Sequence, residues 1–139
     1  MLKANHMAFF RSHGILIARI LMGGMFALAG LDKLINASGT ASYMGSVGLP
    51  ENTALAFAIG LFEGILGLAI VLGKRVAESA LLLGIFVVIV SFFFHSPTLW
   101  ADAPMQKVLF SKNAAILAGL LYIVAYGSGN TWKLDRNEV

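Results

Sequence analysis

The sequence has no cysteine, only three prolines and few charged residues. Without cysteine the chain can form no disulfide, no thiolate metal site and no dithiol redox centre. Charged residues make up 12% of the 139 residues and hydrophobic residues 58%, whereas a soluble domain has about 25% charged residues. So few charges cannot cover a surface that faces water, and such high hydrophobicity excludes a disordered chain. The composition therefore predicts a protein whose solvent is lipid.

Four apolar runs are long enough to cross the hydrocarbon layer of a bilayer, which takes about 17–25 helical residues. They cover residues 15–31, 54–73, 76–94 and 108–127. Lys74 and Arg75 alone separate the second run from the third, and loops rich in Pro, Gly and Ser are expected at 32–53 and 95–107. Residues 1–14 are expected to form a short interfacial helix. The sequence thus predicts an all-α membrane protein, one domain built as an antiparallel bundle of four transmembrane helices.

The basic residues predict the orientation of this bundle. Six of them lie beside span ends on one side of the membrane: Lys3, Arg11, Lys74, Arg75, Lys133 and Arg136. The other side has two, Lys33 and Lys107, or three if Lys112 is counted. Cytoplasmic loops carry an excess of Lys and Arg, so both termini are expected in the cytoplasm, N-in and C-in. Because the basic residues flank apolar runs and form no patch, a nucleic-acid partner is not expected.

One alternative concerns the first span. Ala27-Leu28-Ala29 follows a basic and then apolar stretch, as a signal-peptide cleavage site does. Arg19 interrupts the apolar region, however, and cleavage would upset the charge asymmetry of the four spans. An intact first span is therefore the prediction.

Of the four charged residues within the predicted spans, Glu78 and Lys112 lie near span ends, whereas Arg19 and Glu63 lie deep inside. A charge at such depth costs several kcal/mol and is by default a functional hypothesis. Glu63 is about 14 Å from either end of its span and Arg19 is about 12 Å inside the first. Arg19 shares a helix face with Gly23 and Gly30. Glu63 shares a face of the second span with Gly60, Gly64 and Gly67. Small residues mark where membrane helices touch. We therefore predict a buried Arg19–Glu63 ion pair with proton exchange at Glu63; in the alternative the pair only holds the helices in register.

A second group of polar residues is expected at the opposite end of the bundle from the termini. It comprises Asp32, Lys33, His95, Lys112 and Asn113, of which the last four could together bind a ligand. Plain alternatives stay open: Asp32 pairs with Lys33, His95 is solvated or hydrogen-bonded, Lys112 snorkels to the interface, and Asn113 bonds a neighbouring helix. His13 and His95 would lie on opposite faces of the membrane, so haem is not expected, nor is a metal site. Any electron carrier must then come from outside the chain, and a quinone would suit this group of donors.

Several segments resemble the DoxX family of small four-helix membrane proteins. They are RILMGGMFALAGLDKL (19–34), YMGSVGLPEN (43–52), GLFEGILGLAIVLGKR (60–75), SKNAAILAGLL (111–121) and YGSGNTWKLD (126–135). The resemblance implies a helical bundle in the bacterial cytoplasmic membrane, and some members are subunits of quinone-linked oxidoreductases. The family's polar residues fall on Arg19, Lys33, Glu63, His95 and Asn113.

The leading functional hypothesis is a membrane subunit that binds a quinone or similar lipophile and supports electron transfer with a partner protein. Lys33, His95, Asn113 and Lys112 would bind the ligand, while Arg19 and Glu63 would form the charged centre. The alternatives are a non-catalytic membrane scaffold and a small-solute or proton permease, which would need a homo-oligomer because four helices make a thin wall. An enzymatic role would at most be that of a quinone-linked oxidoreductase subunit without its own redox cofactor.

Overall fold

All four predicted apolar spans are helical in the computed structural model. The structure describes residues 2–129 and 132–134, with the side chains of all of these except 2–6, 8, 11 and 12. The helices are α1 Leu2–Ile35, α2 Ala37–Ser46, α3 Thr53–Leu72, α4 Val76–Phe94 and α5 Pro104–Tyr126, with a 3-10 turn at Pro97–Leu99. Of these, α1, α3, α4 and α5 are long and apolar enough to cross a membrane. The prediction of a four-span all-α membrane protein is confirmed.

The helix ends follow local sequence signals. The side chain of Asn52 accepts a hydrogen bond from the backbone N of Leu55 at 3.0 Å and so caps the start of α3. Gly73 ends α3 in the left-handed region, with φ of 70°, which glycine adopts without strain. Proline in the first turn of α5 needs no backbone donor there. Polar and conformationally special residues thus set both ends of α3 and the start of α5.

Three segments differ from the prediction. Helix α1 begins at Leu2 and runs for 34 residues, so residues 2–14 continue the first span and form no separate interfacial helix. At 1.5 Å per residue α1 is about 51 Å long, more than the hydrocarbon layer of about 30 Å. The expected loop at 32–53 contains the ten-residue helix α2. Helix α5 begins at Pro104, four residues before the predicted start.

The bundle is built from two close helix pairs, α1 with α3 and α4 with α5. A Cβ built on Gly23 of α1 would lie 2.6 Å from the carbonyl oxygen of Gly67 of α3, so the two backbones touch where both residues lack a side chain. Helix α2 packs on the first half of α3, where Ala41, Met44 and Ala56 form a buried cluster. These contacts bring α1, α2 and α3 together around the charged residues.

The outer surface is apolar, as expected for a bundle in lipid. Leu21, Leu28, Ile65 and Phe92 are each more than half exposed. We call the end of the bundle with the α3–α4 turn and residues 127–134 the terminal end, and the end with α2 and the 3-10 turn the loop end. Since α1, α3, α4 and α5 alternate in direction, α1 begins and α5 finishes at the terminal end.

A candidate ligand cavity beside a buried lysine–glutamate pair

The carboxylate of Glu63 pairs with Lys33 and not with Arg19. Nζ of Lys33 lies 2.7 Å from Oε2 of Glu63, and only 7% of the glutamate side chain is exposed. Ten residues of α3 precede Glu63 and nine follow it, so the pair lies halfway along this helix. Nζ also donates to the carbonyl oxygen of Ala29 at 3.4 Å. The lysine side chain thus extends about one turn back along α1, in the direction in which helical side chains point.

Arg19 lies near the terminal end, where its guanidinium binds backbone carbonyls. It is fully buried. Nε donates to Ile70 O at 3.0 Å and Nη2 to Val71 O at 2.9 Å, both in the last turn of α3. Nη1 donates to Ser128 O at 2.8 Å and to Trp132 O at 3.2 Å. The last carbonyls of a helix have no partner within it, and the five N–H groups of arginine can serve several at once.

The predicted Arg19–Glu63 ion pair is therefore wrong, and the reason is the register of α1 on α3. Gly23 faces Gly67, and Gly30 lies against Gly60 and Gly64. In this antiparallel register Arg19 is level with the last turn of α3. Glu63 is seven residues from Ile70, about 10 Å along the helix axis, and is within reach of the lysine instead.

The Lys33–Glu63 pair lines a cavity of about 190 Å³ near the loop end. Helix α2 contributes Thr40 and Tyr43 to its polar wall, and His95 at the end of α4 contributes a third polar side chain. The rest of the wall is apolar and consists of Met44, Ile59, Phe86, Val90 and Phe94. Within the described part of the chain Lys33 is the one hydrogen-bond donor to Glu63, through Oε2. The second carboxylate oxygen, Oε1, therefore has an accepting position left for another group.

His95 is held by two residues that follow it in the chain. Its Nδ1 lies 2.6 Å from Oε1 of Gln106, and because an amide oxygen only accepts hydrogen bonds, Nδ1 carries the hydrogen. The other ring nitrogen, Nε2, is then the acceptor of this tautomer. Trp100 Nε1 donates to the backbone carbonyl of His95 at 3.1 Å. The first contact orients the imidazole, which lines the cavity, and the second holds the backbone of His95.

The other two predicted ligand-binding residues lie elsewhere. Asn113 is buried and donates from Nδ2 to Oγ of Ser91 at 3.1 Å, and Ser91 Oγ in turn donates to Val87 O at 2.6 Å. It joins α5 to α4, as the alternative interpretation of this residue predicted. Lys112 is exposed and does not line the cavity. The structure thus brings Lys33 and His95 together and separates Asn113 and Lys112 from them.

Thr40, Tyr43 and Gln106 are polar residues near the cavity that the sequence analysis missed. Thr40 and Tyr43 are three residues apart, which places them on one face of a helix, but that spacing matters only once α2 is known to be helical. Among the side chains that the structure describes, no three from His, Asp or Glu are grouped so as to hold a metal ion. The polar side chains in the cavity wall can form hydrogen bonds with a ligand.

Four apolar helices with an ion pair buried between them define an integral membrane protein, and the comparisons with known proteins assign its family. The DoxX family model matches residues 14–96. Inner membrane protein YqjF of Escherichia coli (strain K12) is 34% identical over 123 residues, which are 88% of this chain and 90% of the relative. No solved structure matches the chain. The chain therefore belongs to the DoxX family and is an integral inner-membrane protein; the matched range includes Lys33, Glu63 and His95.

Proposed function

We propose that the cavity at the loop end binds the ring headgroup of a quinone or a closely related lipophile, and that the protein supports membrane redox chemistry together with a partner protein. The observation that carries this proposal is the position of the Lys33–Glu63 pair in the wall of a cavity of about 190 Å³. Polar groups inside membrane bundles face one another or a cavity and mark functional sites. Here they do both.

The polar groups of the cavity suit both oxidation states of such a ring. The ammonium of Lys33 would donate a hydrogen bond to a carbonyl oxygen, since it has three N–H groups. Oε1 of Glu63 would accept one from a hydroxyl and take up its proton. Nε2 of His95 would accept a hydrogen bond from the second hydroxyl of the ring. The ligand would carry the two electrons and exchange them with the partner protein, while Glu63 and His95 would accept the two protons that its hydroxyl form loses.

The size of the cavity fits a single substituted ring. An apolar cavity of about 150 Å³ in another protein is large enough for benzene, and this one measures about 190 Å³. Phe86 and Phe94 provide aromatic faces for the ring, and Phe94 already stacks on Tyr43 with 5.6 Å between ring centroids. An apolar wall with a few converging polar groups is the usual form of a small-molecule site.

The test is to purify the protein in mild detergent, extract lipophiles that copurify, and identify them by mass spectrometry. The thermal unfolding temperature is then measured with added benzoquinones. Ligand at a hundred times its Kd stabilises a protein by about 2.7 kcal/mol, so the unfolding temperature should rise by several degrees. Glu63→Gln should reduce that shift, whereas Glu78→Gln in the exposed pair with Arg75 should keep it. A wild-type protein with neither extracted quinone nor a thermal shift contradicts the proposal.

The scaffold hypothesis is supported by Arg19, whose observed hydrogen bonds tie together the end of α3 and the segment after α5. Such contacts hold the terminal end of the fold together and involve no ligand. If the protein is only a scaffold, Glu63→Gln lowers recovery of the assembled complex and leaves every quinone titration unchanged. The same variant therefore separates the two functions.

A further inference from the structure

The polar cavity adjoins a second hollow that is apolar throughout. This hollow measures about 180 Å³, and all of its lining residues are apolar. Met44, Ile59, Phe86, Val90 and Phe94 line both spaces. The side chains that line the apolar hollow alone are Leu49, Pro50, Leu55, Ile89 and Phe93. We call the apolar hollow defined by these ten residues the tail groove.

The far side of the tail groove opens on the outer surface of the bundle. Leu55 of α3 is 44% exposed, and Ile89 and Phe93 of α4 are 50% and 57% exposed. In an apolar bundle such exposed side chains face lipid. The side chains that line both spaces, Met44 among them, therefore lie between the lipid-facing groove and the Lys33–Glu63 pair. Methionine has three rotatable bonds and adapts to what passes it.

We propose that the tail groove holds the hydrocarbon chain of the ligand whose polar ring lies at Lys33 and Glu63. This inference rests on the function proposed above and narrows its ligand to a polar ring that carries one alkyl or isoprenoid chain. The ligand enters sideways from the lipid. A small water-soluble molecule would use the polar cavity and leave the groove empty.

The shape and chemistry of the two spaces favour this occupant. The ring needs donors and acceptors, and these occur only in the polar cavity. The chain needs apolar contacts, which line the groove without interruption. Together the two spaces reach the lower end of the range of small-molecule sites, about 300–1,000 Å³. Neither space alone has room for both parts.

The experiment compares two benzoquinones with the same ring substituents, one without a chain and one with a decyl chain. Affinities are measured in detergent for the wild type, Ile89→Trp and Ile85→Trp. Both isoleucines are about half exposed and lie one turn apart on α4, but Ile85 does not line the tail groove. Because the indole overfills the groove, Ile89→Trp should weaken binding of the decyl quinone about tenfold. It should leave the chainless quinone within about twofold, and Ile85→Trp should change neither.

The outcomes separate this inference from the function on which it rests. If both quinones bind and Ile89→Trp affects neither or both alike, the tail groove does not hold the chain, while the ring site stands. If the wild type binds neither quinone, the proposed function fails and the inference with it. A decyl quinone with a diazirine at the chain end gives a second measurement on the wild type. Crosslinks should map to residues 49–55 or 89–93, and crosslinks elsewhere overturn the inference.

Discussion

Each of the two buried charged residues that the sequence singles out is satisfied in its own way. Glu63 has a basic side chain as partner, at 2.7 Å, and this arrangement leaves one carboxylate oxygen toward a cavity. Arg19 donates to backbone carbonyls of α3 and of the segment after α5, and these bonds join parts of the chain far apart in sequence. An ion pair beside a cavity can exchange a proton or bind a ligand, whereas a guanidinium surrounded by carbonyls serves the fold.

The Lys33–Glu63 pair should show strong energetic coupling. Removing one partner of a buried pair leaves a buried charge and costs about 3–5 kcal/mol. We therefore expect Lys33→Met and Glu63→Leu each to lower the free energy of unfolding by about that amount, and the double variant to lose less than the sum. Reversible unfolding in mixed detergent micelles measures all four proteins of this cycle.

Arg75 and Glu78 supply the matched control for that cycle. Their side chains are 70% and 52% exposed and 3.5 Å apart, and exposed pairs contribute about 0–1 kcal/mol. Arg75→Met with Glu78→Leu should therefore be nearly additive. Strict additivity in the Lys33–Glu63 cycle as well would mean that this contact does not hold in the folded protein.

The sequence contained the information that Arg19 and Glu63 face other helices, but their pairing depended on register. Gly23 and Gly30 are seven residues apart, as are Gly60 and Gly67. Matching the two spacings in antiparallel order sets Gly23 against Gly67 and Gly30 against Gly60, and that order places Arg19 near the end of α3. Equal glycine spacing was thus the available signal. The sequence gives no comparable signal that the side chain of Lys33 reaches Glu63, because that contact depends on how the two helices pack.

At the scale of elements, the contact between α1 and α3 depends on glycine at particular positions. Gly23 and Gly24 are neighbours in α1, but only Gly23 faces α3. A Cβ at Gly23 would lie 2.6 Å from Gly67 O and 2.9 Å from a methyl carbon of Val71, whereas a Cβ at Gly24 would meet nothing within 4 Å. The two glycines therefore differ only in whether they contact α3.

Alanine at these two neighbouring positions should therefore have different effects on stability. Gly23→Ala should lower the unfolding temperature, because α1 and α3 must separate to admit the methyl group; overpacking typically costs about 1–3 kcal/mol. Gly24→Ala should leave it unchanged or raise it, since alanine favours helix by up to about 1 kcal/mol over glycine. Thermal unfolding in one detergent measures both. Equal effects would show that Gly23 is not at a helix contact.

Helix α2 shows what local sequence does not determine. Its sequence, ASGTASYMGS, is rich in Gly, Ser and Thr, residues that favour turns over helices in isolation. Asn36 begins the helix by accepting a hydrogen bond from the backbone N of Gly39 at 3.2 Å, a cap visible in the sequence. The helix is further held by the packing of Ala41 and Met44 on Ala56. Tertiary contacts, which no local pattern contains, therefore decide this element and with it the polar wall of Thr40 and Tyr43.

At the scale of the whole molecule, an even number of spans puts α1's first residues and residues 127–134 at the same end of the bundle. The α3–α4 turn, with Lys74 and Arg75, lies there too. Leu134 N donates to Leu72 O at 3.1 Å, which holds the segment after α5 against the end of α3. The sidedness of the bundle in the membrane is a separate matter, for which the distribution of basic residues makes a definite prediction.

The terminal end should face the cytoplasm, because Lys and Arg are retained on that side. The absence of native cysteine makes the test simple, since each single-cysteine variant carries one thiol. Thr98→Cys in the 3-10 turn and Lys74→Cys in the α3–α4 turn lie at opposite ends of the bundle and are both exposed. In intact cells with a permeable outer membrane, a membrane-impermeant maleimide should label Thr98→Cys and leave Lys74→Cys unlabelled. Both should be labelled after the inner membrane is disrupted. The reverse pattern in intact cells would contradict the prediction and place the loop end in the cytoplasm.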